Sequence, residues 1–245
     1  MNNGLYTAFL GMRSRQRTLD AQANNLANAS TVGFKAERLL YRSIEAEKKA
    51  ESDKQNLVAG VSTASATDFS VGSFKETGRN LDVAIDGDAF LQIQTPRGVR
   101  YTRAGNLTLD ASGQLVTHNG DLVVGTRGGI TVPKNAGEIS IGTDGTLSIG
   151  NQSFDRLKLV RFDDPANALT KEGDALLMAK DERQKPLENV NSRVVQGMLE
   201  TSNVNSLSET VAMIQNNREF ENLQKSVTLL MNDLGRKIAG EIGKI

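Results

Sequence analysis

Apolar side chains near the start of the chain recur at alternating steps of four and three: Leu5, Phe9, Met12, Leu19, Ala23 and Leu26, with Gln16 at the one polar position of the series. This spacing predicts an amphipathic helix. Asn28, Ser30, Thr31 and Gly33 suit its end, with Gly33 expected to take the left-handed conformation of a C-terminal cap. A second series runs through Leu207, Val211, Ile214, Phe220, Leu223, Val227, Leu230, Leu234 and Ile238 and keeps close to a repeat of about 3.5 residues. Ser206 or Ser208, with Glu209 following, reads as its N-cap region. A lone amphipathic helix exposes its apolar stripe to water, so each stripe requires a partner. That partner is either the other terminus, in an intramolecular hairpin, or another molecule.

Between the two series the period shortens to two. Leu81-Asp82-Val83-Ala84-Ile85 alternates, and Phe90 to Gln94 leads into a turn at Pro96-Arg97-Gly98 and a returning strand from Val99 to Thr102. Further strand and turn pairs follow at Leu107 to Leu109, Gln114 to Thr117, Leu122 to Val124, Glu138 to Ile141, Leu147 to Ile149 and Leu157 to Phe162. The stretches 42–67 and 180–192 are polar and read as connectors, the first with some helical character. The expected fold class is α+β: long N- and C-terminal amphipathic helices in a coiled-coil-like domain, and a mainly antiparallel β central domain. The expected boundaries are 1–35 and 203–245 for the helical assembly domain, 36–68 and 180–202 for the connecting segments, and 69–179 for the β domain.

Composition narrows the function. Of the 245 residues 38% are hydrophobic and 4% aromatic, with no Trp, which predicts a core thinner than usual for this length. Lys and Arg together number 29, as do Asp and Glu, so no global attraction to nucleic acid or to an anionic membrane is expected. The absence of cysteine removes disulfides and thiolate metal sites and suits a chain that passes from a reducing to an oxidising compartment. No apolar run reaches transmembrane length, and the N-terminus carries no secretory signal pattern.

Candidate chemistry is sparse. The one histidine, His118, sits in a hairpin-tip sequence and reads as a solvated turn residue. Asp82, Asp86 and Asp88 miss the ligand spacing of an EF-hand. Gly125-Thr126-Arg127-Gly128-Gly129 lacks the Gly-Lys-Ser/Thr of a phosphate-binding loop and reads as a strand connection. The carboxylate pair Asp163-Asp164 would serve hydrolysis only across a cleft. No catalytic residue, cofactor or metal is expected.

Three ordered segments carry a resemblance: Ala23-Asn24-Asn25-Leu26-Ala27-Asn28 with Thr31-Val32-Gly33-Phe34-Lys35; Tyr101-Thr102-Arg103-Ala104-Gly105-Asn106; and Gln196-Gly197 through Ser202-Asn203-Val204-Asn205. In this order the chain resembles the flagellar rod, hook and hook-associated proteins, and its short connector is most similar to the proximal-rod subunit. Leu107 and Ala89-Phe90-Leu91 depart from the family pattern, within the β domain. The resemblance implies a structural subunit that stacks helically with copies of itself and related rod subunits in the periplasm-spanning rod. It implies export by the flagellar type III apparatus without a cleaved signal peptide, and no nucleic acid, small-molecule substrate or membrane insertion. The helix stripes, from Leu5 to Leu26 and from Leu207 to Ile238, are then subunit-packing surfaces. Asn24, Asn25, Asn28, Gly33, Phe34, Gly197, Asn203 and Asn205 are motif positions, read either as caps and turns or as buried polar contacts between subunits. Alternatives are the distal-rod paralogue, a secreted β-domain binding module on a coiled coil, and a carboxylate hydrolase.

Overall fold

The computed structural model describes residues 2–44, 60–133, 137–173, 175–181, 186–188 and 191–242. In chain order the elements are α1 (Asn2–Ala27), β1 (Glu37–Ile44), β2 (Gly60–Thr67), β3 (Phe74–Glu76), β4 (Val83–Asp86), β5 (Phe90–Thr95), β6 (Gly98–Thr102), β7 (Leu107–Leu109), β8 (Leu115–Thr117), β9 (Leu122–Gly125) and β10 (Gly128–Gly129). They continue with β11 (Ile139–Ile141), β12 (Thr146–Ile149), β13 (Gln152–Arg156), β14 (Leu159–Arg161), α2 (Pro165–Ala168), β15 (Leu169–Gly173), β16 (Leu176–Ala179), β17 (Leu187–Glu188), β18 (Arg193–Gln196), β19 (Met198–Glu200) and α3 (Ser206–Ile242). The fold is α+β with mainly antiparallel sheets, and among the described residues no helix is long and apolar enough to cross a membrane.

The chain divides into two compact units, which cut it differently from the expected boundaries. The first holds residues 1–27, 37–66 and 205–245, that is α1, α3 and the two-stranded sheet of β1 and β2. The stretch 42–67, expected as a partly helical connector, therefore contributes strand where it is described; residues 45–59 lie outside the described residues. β2 reads Gly-Val-Ser-Thr-Ala-Ser-Ala-Thr, small and polar, so its strand character comes from pairing with β1 and not from an apolar alternation.

The second unit holds residues 28–36 and 67–204. Its largest sheet runs β15-β16-β6-β5-β9-β8-β7, with β14, β17 and β10 joined at the side. β5 and β6 form the hairpin that Pro96-Arg97 closes, in register from Leu91 opposite Thr102 to Thr95 opposite Gly98. Successive residues of β5 face opposite sides. Leu91 and Ile93 enter a core with Val83, Ile85, Leu107, Leu115, Val123 and Leu147, while Phe90 packs in a second cluster with Tyr101, Val160, Phe162 and Leu177. Edge-on rings fix that second cluster, with Tyr101 and Phe162 centroids 5.0 Å apart. Each such buried side chain contributes about 1.5–3 kcal/mol.

The stretch 180–202, expected as a connector, supplies integral strands. β18 pairs with β4 from Arg193 opposite Asp86 to Gln196 opposite Val83, β19 pairs with β3, and β17 pairs with β14. The β unit is thus closed by its own last segment. The remaining turns lie where their residues predict. His118 is at the tip joining β8 and β9, and Thr126-Arg127 joins β9 to β10. Asp164 caps the short α2 by accepting from the Asn167 amide, which gives the carboxylate pair a local structural role.

Candidate functional site

The two long helices lie antiparallel in the first unit, because contacts that rise along α1 fall along α3. Asn25 Nδ2 meets Glu209 Oε1 at 3.1 Å, Gln22 Oε1 accepts from Asn216 Nδ2 at 3.0 Å, and Arg15 donates to Asn216 at 2.8 Å and pairs with Glu219 at 2.6 Å. Arg15, Gln22 and Asn25 carry this contact, and the buried residues of α1 are small or polar: Ser14, Ala21 and Asn25. At about 100° per residue, Leu19 and Leu26 lie within about 60° of Gln22 around the helix, Met12 about 80° and Phe9 about 140°. Phe9 is 59% exposed, and Met12, Leu19 and Leu26 are half-buried. The apolar stripe of α1 therefore flanks the contact with α3, with Phe9 at its exposed edge.

The second series, expected as one seam, divides into two faces of α3. The six-residue step from Ile214 to Phe220 turns the helix about 240° beyond one full turn. Phe220, Leu223 and Val227 fall on the side of Asn216, towards α1, and are half-buried. Leu207, Val211 and Ile214 fall on the opposite side, 75%, 48% and 50% exposed. Leu230 is exposed as well, with Leu229 and Met231 beside it. The side chains of Leu5, Leu234 and Ile238 lie outside the described ones.

Asn25, Asn28, Asn203 and Asn205 make hydrogen bonds inside their own units, and of these Asn25 is buried. Asn25 behaves as a strand partner for β1: its Oδ1 accepts from the Glu37 amide at 2.8 Å and its Nδ2 donates to the Glu37 carbonyl at 2.9 Å. Asn203 bridges two segments of the β unit, accepting from the Ala36 amide at 2.7 Å and donating to the Asp68 carbonyl at 2.9 Å. Asn205, and not Ser206 or Ser208, caps α3 by accepting from the Ser208 amide at 3.1 Å. Asn28 accepts from the Thr31 hydroxyl in the turn after α1, and Asn24 is exposed.

Gly33 has φ +68° but lies beyond the helix end and does not cap it. Its amide donates to the Glu200 carbonyl at 2.8 Å, and a Cβ there would stand 2.4 Å from the Ala104 nitrogen. Only glycine fits both the backbone conformation and the approach. Phe34 is buried with Lys171 Nζ 4.0 Å above its ring centre. Gly197, at φ +77°, accepts from the amides of Thr77 and Gly78 between β18 and β19.

Sequence reasoning named no ion among the site residues, yet the three motif segments meet at one. Glu200, fully buried, takes Lys35 Nζ at 2.6 Å and the Gly72 amide at 3.0 Å on Oε1, and Arg103 Nη1 at 3.2 Å on Oε2. Arg103 also donates to the carbonyls of Ile85 and Gly87 and stacks over Phe90 at 5.0 Å. Lys35 donates to the Ser70 carbonyl at 2.7 Å. Burial holds both cations below their ordinary pKa, and the carboxylate opposes that shift. The available signal was a charged residue in each of the three motif segments.

Three family profiles match these same stretches: "Flagella basal body rod protein" over residues 5–35, "Flagellar hook protein FlgE/F/G D1 domain" over 84–149, and "Flagellar basal body rod FlgEFG protein C-terminal" over 195–229. The chain is 36% identical over 247 residues to the flagellar basal-body rod protein FlgF of Caulobacter vibrioides, covering 100% of both. The chain belongs to the flagellar basal-body rod protein family. It is also 34% identical to the rod protein FlgG of Bacillus subtilis, over 93% of this chain and 95% of the relative, and 35% identical to FlgF of Salmonella typhimurium, over 96% and 97%. The rod protein is a structural subunit of the flagellar basal body, in a family whose members assemble with other rod subunits. Each matched stretch contributes one ion of the buried cluster: Lys35, Arg103 and Glu200.

Proposed function

We propose that this rod protein assembles helically through two apolar helix stripes, Phe9, Met12, Leu19 and Leu26 on α1 and Leu207, Val211 and Ile214 on α3. The observation that carries the reading is that α1 meets α3 through the polar residues Arg15, Gln22 and Asn25, while Phe9 on α1 and Leu207, Val211 and Ile214 on α3 stay exposed. Packing between subunits then covers both stripes in a coiled-coil-like inner layer. A buried leucine or phenylalanine contributes about 1.5–3 kcal/mol in every subunit interface. Repetition along the rod multiplies that gain and resists the torque passed from motor to hook.

The short connector supports a place in the proximal part of the rod. The rod spans the periplasm, so the subunit leaves the cytoplasm through the flagellar type III apparatus. It works with copies of itself and related rod subunits, and with no nucleic acid, small-molecule substrate or inserted membrane segment. The test is Val211→Asp in cells: the account expects loss of motility and of assembled rods with normal export, and normal rods would overturn the stripe.

A further inference from the structure

We propose that Lys35, Arg103 and Glu200 form a folding gate that holds the β unit open until its last segment is present. Both cations are 2% exposed, and the carboxylate they share is fully buried. Arg103 precedes Glu200 by 97 residues and Lys35 precedes it by 165. A chain made from its N-terminus therefore carries both cations before their counter-ion exists. Closing the central strands at that stage would bury two like charges with no carboxylate between them, and in the folded unit Arg103 disfavours the charged form of Lys35.

Glu200 resolves this in one docking event. Its carboxylate joins both cations and the Gly72 amide, its carbonyl accepts from the Gly33 amide, and β19 completes the pairing with β3. The gate lies within the β unit and does not depend on how subunits later pack.

Pulsed hydrogen exchange during refolding of the full chain tests it. In the natural sequence the amides of β5, β6 and β9 should gain protection with the same time constant as those of β18 and β19. Glu200→Gln should slow that step by about tenfold or more. In the double variant Lys35→Met, Arg103→Met the central strands should become protected before β18 and β19, because no charge waits for a partner. If Glu200→Gln does not refold, the double variant decides. Central strands protected first in the natural sequence would overturn the gate, and so would a double variant that still folds in one step.

Discussion

Lys35 Nζ and Glu200 Oε1 lie 2.6 Å apart across 165 residues of chain, both out of contact with solvent. The pair ties the segment that follows α1 to the segment that precedes α3, within the β unit. Removing one partner of such a pair leaves charge buried without compensation, which costs about 3–5 kcal/mol. Glu200→Ala should therefore lower the stability of the β unit by that order, measured by urea unfolding. Replacing Lys35, Arg103 and Glu200 together by apolar residues of similar volume should cost far less, because no charge remains to be desolvated.

Gly33→Ala should destabilise the same unit. The left-handed backbone alone costs a residue with a Cβ about 1–3 kcal/mol, and the new atom would stand 2.4 Å from the Ala104 nitrogen. A thermal midpoint equal to that of the natural protein would show that the segment 28–36 does not hold this place in solution.

Stability should fall on the acid side through Glu172. Its hydrogen bonds to the Arg100 guanidinium, with Arg97 at 3.0 Å, hold its carboxyl below the ordinary glutamate range. A depressed native pKa gives a contribution that is present above the unfolded carboxyl's pKa and is lost as pH falls through the native value. Glu172→Gln should flatten this part of the curve of melting temperature against pH, and an unchanged slope would exclude Glu172 as its source.

Much of this architecture is legible in the sequence, for identifiable reasons. Strands β4 to β6 announce themselves because one or both faces are buried, so their apolar residues alternate or run together between turn residues. β2, β18 and β19 do not. β2 is built of small and hydroxyl residues, and β18 and β19 are short, with Gly197 between them and partners more than a hundred residues away. The helix ends are visible, but the series from Leu207 to Ile238 looks like one seam only because its period hides a six-residue step that changes face. The motif residues are visible one by one. Their meeting point is not, because Lys35, Arg103 and Glu200 are ordinary surface residue types until the fold brings them together.

The stretch 69–179, expected as the β domain, lacks β19, β18 and β17, which pair with β3, β4 and β14, and two of the three buried ions. Expressed as a fragment, it should show no cooperative unfolding transition. A sharp transition with native-like circular dichroism would show that the last strands are dispensable.

Leu223→Pro and Leu207→Asp should separate the two faces of α3. The proline removes a helix donor and clashes within the preceding turn, at about 3 kcal/mol, on the side of α3 that meets α1. It should disturb the monomer's helix pair, seen as lost helical circular dichroism. Leu207, 75% exposed, should tolerate aspartate in the monomer and fail only in assembly. Equal loss of helicity in both variants would contradict the division.

The most direct measurement is a cryo-EM map of intact basal bodies at side-chain resolution, with this chain built into the rod. The account predicts that Phe9, Met12 and Leu19 of each copy, and Leu207, Val211 and Ile214, are covered by helices of neighbouring subunits. Rod density that fits the chain but leaves both stripes facing solvent or the central channel would contradict it.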